Sequence, residues 1–455
     1  MDEIDYYTDN VNECLTGYVT IDGGNYVSEL SIDDDGIEIR LLDFNSKMNR
    51  AYSEVMALNS ILFQKGTRYY LLFGLELHES SFMRMGVDGR FNTYTFSAQG
   101  FLYSKSRVNT NSLFTSVSIH GENIKKWSGS TRKLDKIIEC GLGFSNKLPN
   151  DDDCVEFEKN IDGLGKIGLY YSYRYGGLSG LHTVGMDVEP HVTVSFEKPV
   201  GLDRLIENYI DLYMILRFFI GGSLMISNIK TNSVSNYGRE NIQIYIKEKK
   251  EDHKTINTGM FLTYSTIYHD DSEKNFPDSV WEGYFNPENH EIKELVKKYV
   301  TYSMVHSNEE KFLGFYRMIE SMTIRKSCYV DEALLSKLLN RSRCLLAKKF
   351  PGAPLGDFIR AIKRTNKSKH NTESCIHHFI KSLPESVVIK LDLKKISINE
   401  VCKSRNQIIH QPLFSETPSK IYKHMQATEI LTKLALLIRL GVPMQKIEEI
   451  ICYHR

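Results

Sequence analysis

The stretch from Ser307 to Met322 reads SNEEKFLGFYRMIESM, and it decides the fold class of the second half of the chain. Its first four residues have the Ser-x-x-Glu form of a capping box, which is typical of a helix start. The apolar residues that follow recur three or four positions apart, as they do on one face of a helix: Phe312, Phe315, Tyr316, Ile319 and Met322. The stretch therefore predicts an amphipathic helix that begins just after Ser307.

The helical period extends from about residue 288 to the end of the chain. An apolar stripe runs from Ile292 to Val300, and a further helix is predicted over about Glu332 to Lys349. Thr417-Pro418 has the form of an N-cap followed by proline at the first helical position, and Gly441-Val442-Pro443 ends the long helix that follows. These signals predict an all-helical domain over residues 286–455.

The first part of the chain has the alternating pattern of β-strands instead. Short β-prone runs such as Tyr26 to Ile32 and Ile37 to Leu42 are separated by Asp-Gly-rich turns, which favours an antiparallel sandwich or a barrel-like sheet. A helix is predicted over residues 202–220, and clean alternation predicts a strand over Ile242 to Ile246. The fold class is therefore α+β, with a strand-rich, mainly antiparallel β domain over residues 1–285 before the helical one.

Composition and hydropathy indicate a globular protein with no membrane segment. The 455 residues are 41% hydrophobic and 25% charged, which excludes a disordered chain. The most apolar stretch, Ile210 to Ile226, contains Asp211 and Arg217 and is interrupted by Gly221-Gly222, so it predicts a buried helix. The acidic first residues are unlike a signal peptide, and no cysteines form a Cys-x-x-Cys pair. We expect a cytoplasmic protein without membrane contact.

Charge is unevenly distributed although the net charge is zero. Residues 1–40 contain 11 acidic residues and one basic residue, whereas residues 341–370 contain nine basic residues and one acidic residue. A polyanion would be attracted to the second region. The candidate RNA-binding residues there are Arg360, Lys363, Arg364, Lys367 and Lys369. The alternative is that these residues form a solvated surface with no ligand.

One predicted helix interrupts its own apolar pattern with a charge. Arg405 falls on the stripe formed by Ile398, Val401, Cys402, Ile408 and Ile409, so it must find an anionic partner or line a cleft. Asn406 lies four residues before His410, which places both on one helix face. Gln411 precedes Pro412, so the helix should end near His410. The pattern predicts an accessible imidazole beside a loop.

The segment Arg405-Asn406-Gln407-Ile408-Ile409-His410 resembles the Arg-x4-6-His motif of HEPN domains, including the polar residue that follows the arginine. The order of helices resembles the Apea-like HEPN branch, in which an early helix like Phe312 to Met322 and a late motif helix precede a long closing helix. The strand-rich front with its helix from Leu202 to Gly222 also resembles the amino-terminal domain of ApeA proteins. This likeness covers nearly the whole chain.

The resemblance implies a helical ribonuclease that pairs with a second copy and acts in abortive anti-phage defence, with a phage-encoded trigger. Two motifs would face each other across a homodimer or higher homo-oligomer and cut RNA, such as tRNA, without a metal or other cofactor. His410 would act as general base or acid, and Arg405 would bind the scissile phosphate. Asn406 would orient the substrate or His410. The strand-rich domain would be the sensor or regulatory part.

Two other functions remain open from the sequence. The chain could be a non-catalytic HEPN protein that binds RNA or a partner, or a receptor for a phage component in which the helices only dimerise. For Arg405 and His410 the structural alternative is an ion pair plus a helix-end histidine. Glu320 is the candidate ion-pair partner of Arg405.

Three weaker patterns are interpreted as structural. Arg364 and His370 repeat the motif spacing, but they enclose a polar stretch without apolar periodicity. Gly163 to Gly168 fits G-x-G-x-x-G, yet a strand follows it where a dinucleotide site needs a helix, which favours turn glycines. Cys375, His377 and His378 invite a zinc site with Cys344 or His370, but their spacing matches no zinc-binding pattern.

Overall fold

The computed structural model divides into two compact units, Met1–His290 and Glu291–Arg455. It describes residues 12–21, 24–33, 36–44, 57–85, 89–106, 108–141, 149–176, 185–235, 238–246, 276–325, 329–366, 370–410 and 417–453. No helix in these ranges has the length and apolar character needed to cross a membrane. The sequence-based boundary after residue 285 stays a prediction.

Twelve strands are found among the described residues of the first unit, and all belong to one antiparallel sheet. Their bounds are β1 (Glu13–Ile21), β2 (Gly24–Ile32), β3 (Ile37–Phe44), β4 (Ser60–Lys65), β5 (Arg68–Met85), β6 (Gly89–Ser104), β7 (Phe114–Gly121), β8 (Val155–Ile161), β9 (Gly165–Gly176), β10 (Gly185–Val200), β11 (Ile226–Ser235) and β12 (Gly238–Ile246). The α+β fold class and the strand-rich first domain are confirmed.

The first six strands close into a ring. They lie in the order β3-β2-β1-β4-β5-β6, and β3 also pairs with β6, with Ile39 opposite Phe96. Along β1, every second residue from Leu15 to Ile21 is buried, and the three residues that alternate with them are exposed. This two-residue period fills the inside of the ring with apolar side chains and leaves polar ones outside.

Gly17 shows how closely the strands of the ring approach each other. A Cβ at this position would lie 2.3 Å from the Gln64 carbonyl oxygen and 2.7 Å from the Phe63 ring. No side chain fits at such distances, so only glycine allows β1 to pass the paired strand β4 here.

The remaining strands extend the sheet from β6 in the order β12-β11-β7-β10-β9-β8. Among the described residues of this unit, four α-helices accompany them: α1 (Glu122–Ser128), α2 (Arg132–Gly141), α3 (Leu202–Ile220) and α4 (Ser279–Phe285). The helix predicted over residues 202–220 is confirmed as α3. It ends where Gly221 takes a φ of +76° and donates its N–H to the Arg217 carbonyl oxygen, as a left-handed helix cap does.

The glycine-rich segment is a turn, as predicted. It connects β8 to β9, and Gly163 and Gly165 have φ angles of +74° and +120°. Gly165 also lies against the backbone of β10, where a Cβ would come within 2.1 Å of the Ser195 carbonyl oxygen. Glycine is required here by backbone conformation and packing, which leaves no cradle for a phosphate.

The second unit is helical throughout its described residues. Its α-helices are α5 (His290–Met304), α6 (Asn308–Thr323), α7 (Glu332–Lys349), α8 (Leu355–Asn366), α9 (Thr372–Ser382), α10 (Glu385–Lys390), α11 (Ile398–His410), α12 (Pro418–Arg439) and α13 (Met444–Tyr453). The first residue of α5 belongs to the first unit in the division above. The prediction that this part of the chain is all-helical is therefore confirmed.

The predicted helix ends agree with the capping signals. The Ser307 hydroxyl accepts a hydrogen bond from the Glu310 N–H at 3.3 Å and opens α6. Thr417 and Pro418 open α12, and Gly441, with a φ of +80°, follows its end. The Thr432 hydroxyl donates to the Phe315 carbonyl oxygen at 3.2 Å, so α6 and α12 pack closely. These helices form the core that supports α11.

Candidate active site

Helix α11 carries the predicted motif from its buried start to its exposed end. Ser397 precedes the helix, and its hydroxyl accepts from the Glu400 N–H at 3.4 Å. Ile398 and Val401 are each 2% exposed and anchor the first turns in the core. The described helix ends at His410, as predicted, while Gln411 and Pro412 lie outside the described residues. The apolar anchors therefore fix the helix at the end opposite the motif.

Arg405 is half-buried and has neutral partners. Its Nη1 donates to Asn406 Oδ1 at 2.9 Å, and its Cζ lies 5.6 Å from the centre of the Tyr316 ring. Its Nε is buried and has no hydrogen-bond partner. In the part of the chain that the structure describes, Arg405 forms no ion pair, so its positive charge is not balanced by a contacting carboxylate. An anion that bound next to Arg405 would therefore balance a charge that no protein carboxylate neutralises there.

The expected pair between Glu320 and Arg405 is wrong. The Glu320 carboxylate accepts a hydrogen bond from the Thr372 hydroxyl at 2.7 Å, which links α6 to α9. No ion pair joins Glu320 to Arg405 among the described residues. Both residues were correctly assigned to helices, but helical periodicity does not specify which side chains meet between helices.

Tyr316 and Cys402 line the site next to Arg405. The Tyr316 hydroxyl donates to Cys402 Sγ at 3.3 Å. Burial, followed by the hydrogen bond to Cys402, raises the pKa of Tyr316, and burial also raises the pKa of the Cys402 thiol. Both groups therefore stay protonated at neutral pH. They can support the guanidinium, but they offer neither a thiolate nucleophile nor a phenolate base.

Asn406 and His410 lie on the exposed side of the same helix. A separation of four residues places them about 40° apart around the helix axis, whereas Arg405 and His410 are about 140° apart. One copy of the helix thus presents Asn406 and His410 together. Arg405 projects from a different side of the helix, toward Tyr316.

The candidate RNA-binding residues are only partly described. Arg360 and Arg364 are exposed on α8, and Lys363 is half-buried there. Arg360 forms an ion pair with Asp357 one turn earlier on the same helix. Lys367 and Lys369 lie outside the described residues.

The second Arg-to-His spacing has a different environment from the first. His370 is 7% exposed, and its ring centroid lies 3.8 Å from that of Tyr329. Arg364, by contrast, is exposed at the end of α8. The buried ring of His370, in contact with Tyr329, is typical of a core histidine and supports the structural interpretation of this repeat.

The residues considered for zinc have other contacts. Cys375 is buried, and its thiol donates to the His370 carbonyl oxygen at 3.8 Å. His377 Nε2 lies 3.9 Å from Glu373 Oε1 on the solvent side of α9. Among the described residues, no group of three or more His, Cys, Asp and Glu side chains is arranged to hold a metal.

Sequence reasoning missed the ring of Tyr316 as part of the site. Tyr316 belongs to the apolar stripe of α6 and is buried, so its pattern is that of a core residue. A signal was present in its hydroxyl, because a buried tyrosine needs a hydrogen-bond partner. The sequence could not identify that partner as Cys402, nor place the ring under Arg405.

Comparison with known proteins agrees with this architecture. The model of the Apea-like HEPN family matches residues 313–446, which include α11 and the whole Arg405-to-His410 segment. The second unit thus contains a HEPN domain, a class of domain that is generally a ribonuclease, typically pairs and binds RNA.

The first unit identifies the family more narrowly. The model of ApeA N-terminal domain 1 matches residues 15–276, more than half of the chain, and so the chain belongs to the ApeA family of HEPN proteins. This membership supports a nuclease role in antiviral defence. No curated protein and no solved structure matches the chain.

Proposed function

We propose that the chain is a metal-independent endoribonuclease of abortive anti-phage defence, with Arg405, Asn406 and His410 as its active-site residues. The observation that carries this proposal is the state of Arg405 within the HEPN domain. Its guanidinium is half-buried, held over Tyr316 and unpaired with any carboxylate among the described residues. A purely structural arginine at this depth would be expected to have an anionic partner.

The reaction divides between the three side chains. The ribose 2′-oxygen attacks the adjacent phosphorus while the P–O5′ bond breaks, which gives a 2′,3′-cyclic phosphate and a free 5′-hydroxyl. His410 accepts the proton of the 2′-hydroxyl or donates one to the leaving 5′-oxygen. Arg405 stabilises charge on the phosphate oxygens with its planar set of N–H donors.

A second copy completes the proposed site. Because Arg405 and His410 lie about 140° apart around one helix, a single helix cannot easily direct both at one phosphate. Two α11 helices facing each other could supply one histidine as base and the other as acid. We therefore propose a homodimer, or a higher homo-oligomer, in which the two HEPN domains share the reaction.

We propose that the basic residues of α8 bind the RNA backbone outside the site. Arg360, Lys363 and Arg364, with Lys367 and Lys369, would attract phosphates and hold a structured RNA such as tRNA. Such contacts supply affinity without sequence preference, so the cleavage site would be selected elsewhere. The first unit would be the sensor or regulatory domain that responds to a phage-encoded trigger in the cytoplasm.

The test is cleavage of total cellular RNA with excess EDTA present throughout. We expect wild-type protein to cut and leave 2′,3′-cyclic phosphate ends, and His410→Ala to be inactive. The matched control is His377→Ala, because His377 is also an exposed helix histidine of the second unit but lies outside the motif. It should cut like the wild type.

Three results would contradict the proposal. Cutting that EDTA abolishes would remove the metal-independent mechanism. Equal cutting by wild type and His410→Ala would remove the site. A complete absence of cutting, with RNA or a phage component still bound, would favour the two non-catalytic functions instead.

A further inference from the structure

Helix α7 exposes an unusual number of leucines. Leu334 is 66% exposed and Leu338 and Leu345 are each 61% exposed, while Leu339 is the one buried residue among those described in the helix. Exposed large apolar residues are common singly, but a continuous row on one helix indicates an interaction surface. We call the row of residues 334, 338, 341, 345 and 348 the α7 seam.

The spacing of the α7 seam is that of a coiled coil. Its positions advance by four, three, four and three residues, which is the repeat that keeps one narrow stripe directed at a partner helix. Leucine occupies three of the positions, Arg341 the central one and Lys348 the last. A polar residue inside such a seam lowers stability, but it fixes register, and the arginine stem can cover apolar surface while its charge reaches water.

The charges beside the seam have opposite signs at the two ends of α7. Asp331 and Glu332 lie at its amino-terminal end, and Lys348 and Lys349 at its carboxy-terminal end, all exposed. Two copies of α7 arranged antiparallel around a two-fold axis near Arg341 would place the acidic end of each, at Asp331, beside the basic end of the other, at Lys349. The same arrangement pairs Leu338 of each copy with Leu345 of the other.

The ends of α7 are also complementary in shape. An open, mainly apolar groove of about 470 Å³ lies where α7 begins, lined by residues that include Tyr329, Val330, Leu335 and Phe358. Phe350 directly follows the other end of the helix and is 58% exposed. Antiparallel pairing would bring the Phe350 ring of each copy near the groove of the other.

We propose that the α7 seam is the surface on which two copies of this chain pair, in an antiparallel, two-fold symmetric contact. A two-fold contact uses the same patch twice, so it requires self-complementarity in shape and charge, and the seam has both. The inference goes beyond the proposed function, because the seam lies on α7 and includes no residue of the proposed active site. The self-association itself is independent of catalysis.

RNA fits the α7 seam less well than a second copy does. A phosphate backbone would meet Asp331 and Glu332 at one end of the helix, and three exposed leucines would give it no favourable contact. The apolar seam instead matches another apolar seam. We therefore assign RNA binding to the basic residues of α8 and contact with the second copy to α7.

The experiment measures the molar mass of the full chain in solution, without RNA, over a range of concentrations. We expect wild type to be dimeric and Leu338→Glu to weaken dimerisation at least 100-fold. Asp331→Lys and Lys349→Asp should each weaken it about 10-fold through like-charge contacts, and the double charge swap should restore it. Ile389→Glu is the matched control, since Ile389 is 58% exposed on α10 and lies outside the seam.

Each outcome decides the proposal. Restoration by the double swap supports it, and it also shows that the single variants were folded. A monomeric wild type, or a dimer that Leu338→Glu does not weaken, would overturn it. The pairing surface and the nuclease activity can fail separately. A dimer that depends on the seam but cuts no RNA would support the pairing surface and contradict the proposed function. An active nuclease that dimerises through another surface would contradict the pairing surface alone.

Discussion

His191 in the first unit and His410 in the second lie in opposite surroundings. His191 is opposite His120 on the neighbouring strand, with ring centroids 4.5 Å apart, and His120 Nδ1 lies 3.2 Å from Glu189 Oε2. Burial first, and then the charge of His120, lower the pKa of His191 to about 3. His410, in contrast, is exposed at a helix end. The same side chain is thus kept neutral within the sheet and left accessible where we propose chemistry.

The contrast teaches that the number and spacing of histidines say little about function without their environment. The contact with His120 lowers the pKa of Glu189 to about 2, and these three groups form a polar cluster within the sheet. The motif on α11 differs because Arg405 has no carboxylate partner among the described residues. The following predictions test this contrast, beginning with the largest expected effect.

Arg405→Lys should lower the rate of RNA cleavage by roughly 10²- to 10³-fold. An ammonium keeps the charge but lacks the planar set of donors that would match phosphate oxygens in the transition state. Single-turnover cleavage of a short RNA measures this effect. Lys403→Arg, at an exposed position on the same helix, should cut like wild type, and an equal loss in both variants would remove the special role of Arg405.

His191→Gln should make the first unit less sensitive to acid. A folded-state pKa of about 3, below the ordinary 6.5, means that the unfolded chain binds this proton first. Stability is therefore unaffected above pH 6.5 and falls as the pH drops toward 3, by up to about 1.4 kcal/mol per pH unit from this group. We expect the free energy of unfolding of wild type to fall more steeply than that of His191→Gln between pH 6.5 and 4.5.

Tryptophan fluorescence isolates this effect, because both tryptophans, Trp127 and Trp281, are buried in the first unit. The window above pH 4.5 avoids most of the effect of Glu189, whose lowered pKa removes stability only as the pH falls from 4.5 to about 2. If His191→Gln kept the wild-type slope over this window, His191 would not be the source of the acid sensitivity.

Tyr316→Leu should reduce cleavage by roughly 3- to 30-fold, whereas Tyr316→Phe should stay close to wild type. The leucine removes the ring face under the guanidinium, a contact that contributes about 0.5–2 kcal/mol, while phenylalanine removes only the hydroxyl bonded to Cys402. A loss in kcat with KM unchanged would show that Tyr316 positions Arg405 for the transition state. Equal losses in both variants would instead indicate that the hydroxyl matters.

Ser307→Ala should have the smallest effect, a loss of about 1 kcal/mol in the stability of the helical unit. The substitution removes the side-chain cap of α6, the helix that carries Tyr316. Thermal unfolding followed by far-ultraviolet circular dichroism measures it. Ser307→Asp should retain wild-type stability because aspartate also accepts from the helix N–H groups, and a loss in that variant would show that the cap is not the cause.

Helix positions could be predicted from the sequence because their signals are local. The bounds of α7 were predicted as Glu332 to Lys349 and are found there, and the Ser307 and Pro418 signals mark true helix starts. The end of α11 near His410 was predicted from the proline two residues later. Caps, prolines and apolar spacing act within a few residues, so a single sequence contains them.

Contacts between distant segments could not be predicted in the same way. Alternation identified strands but did not indicate that β3 pairs with β6, because a two-residue period specifies a face and not a partner. The Glu320 and Arg405 pair failed for the same reason, and Tyr316 looked like an ordinary core residue. The motif residues were accessible to sequence reasoning, whereas their surroundings depend on tertiary packing.

The pairing of β12 with β6 has a consequence for the order of events during synthesis. A growing chain leaves the ribosome from its amino terminus, and the sheet of the first unit cannot be completed until Gly238–Ile246 has emerged. The residues of α11 emerge more than 150 positions later. Every nascent chain can thus complete its strand-rich unit before the helix of the proposed active site has been synthesised.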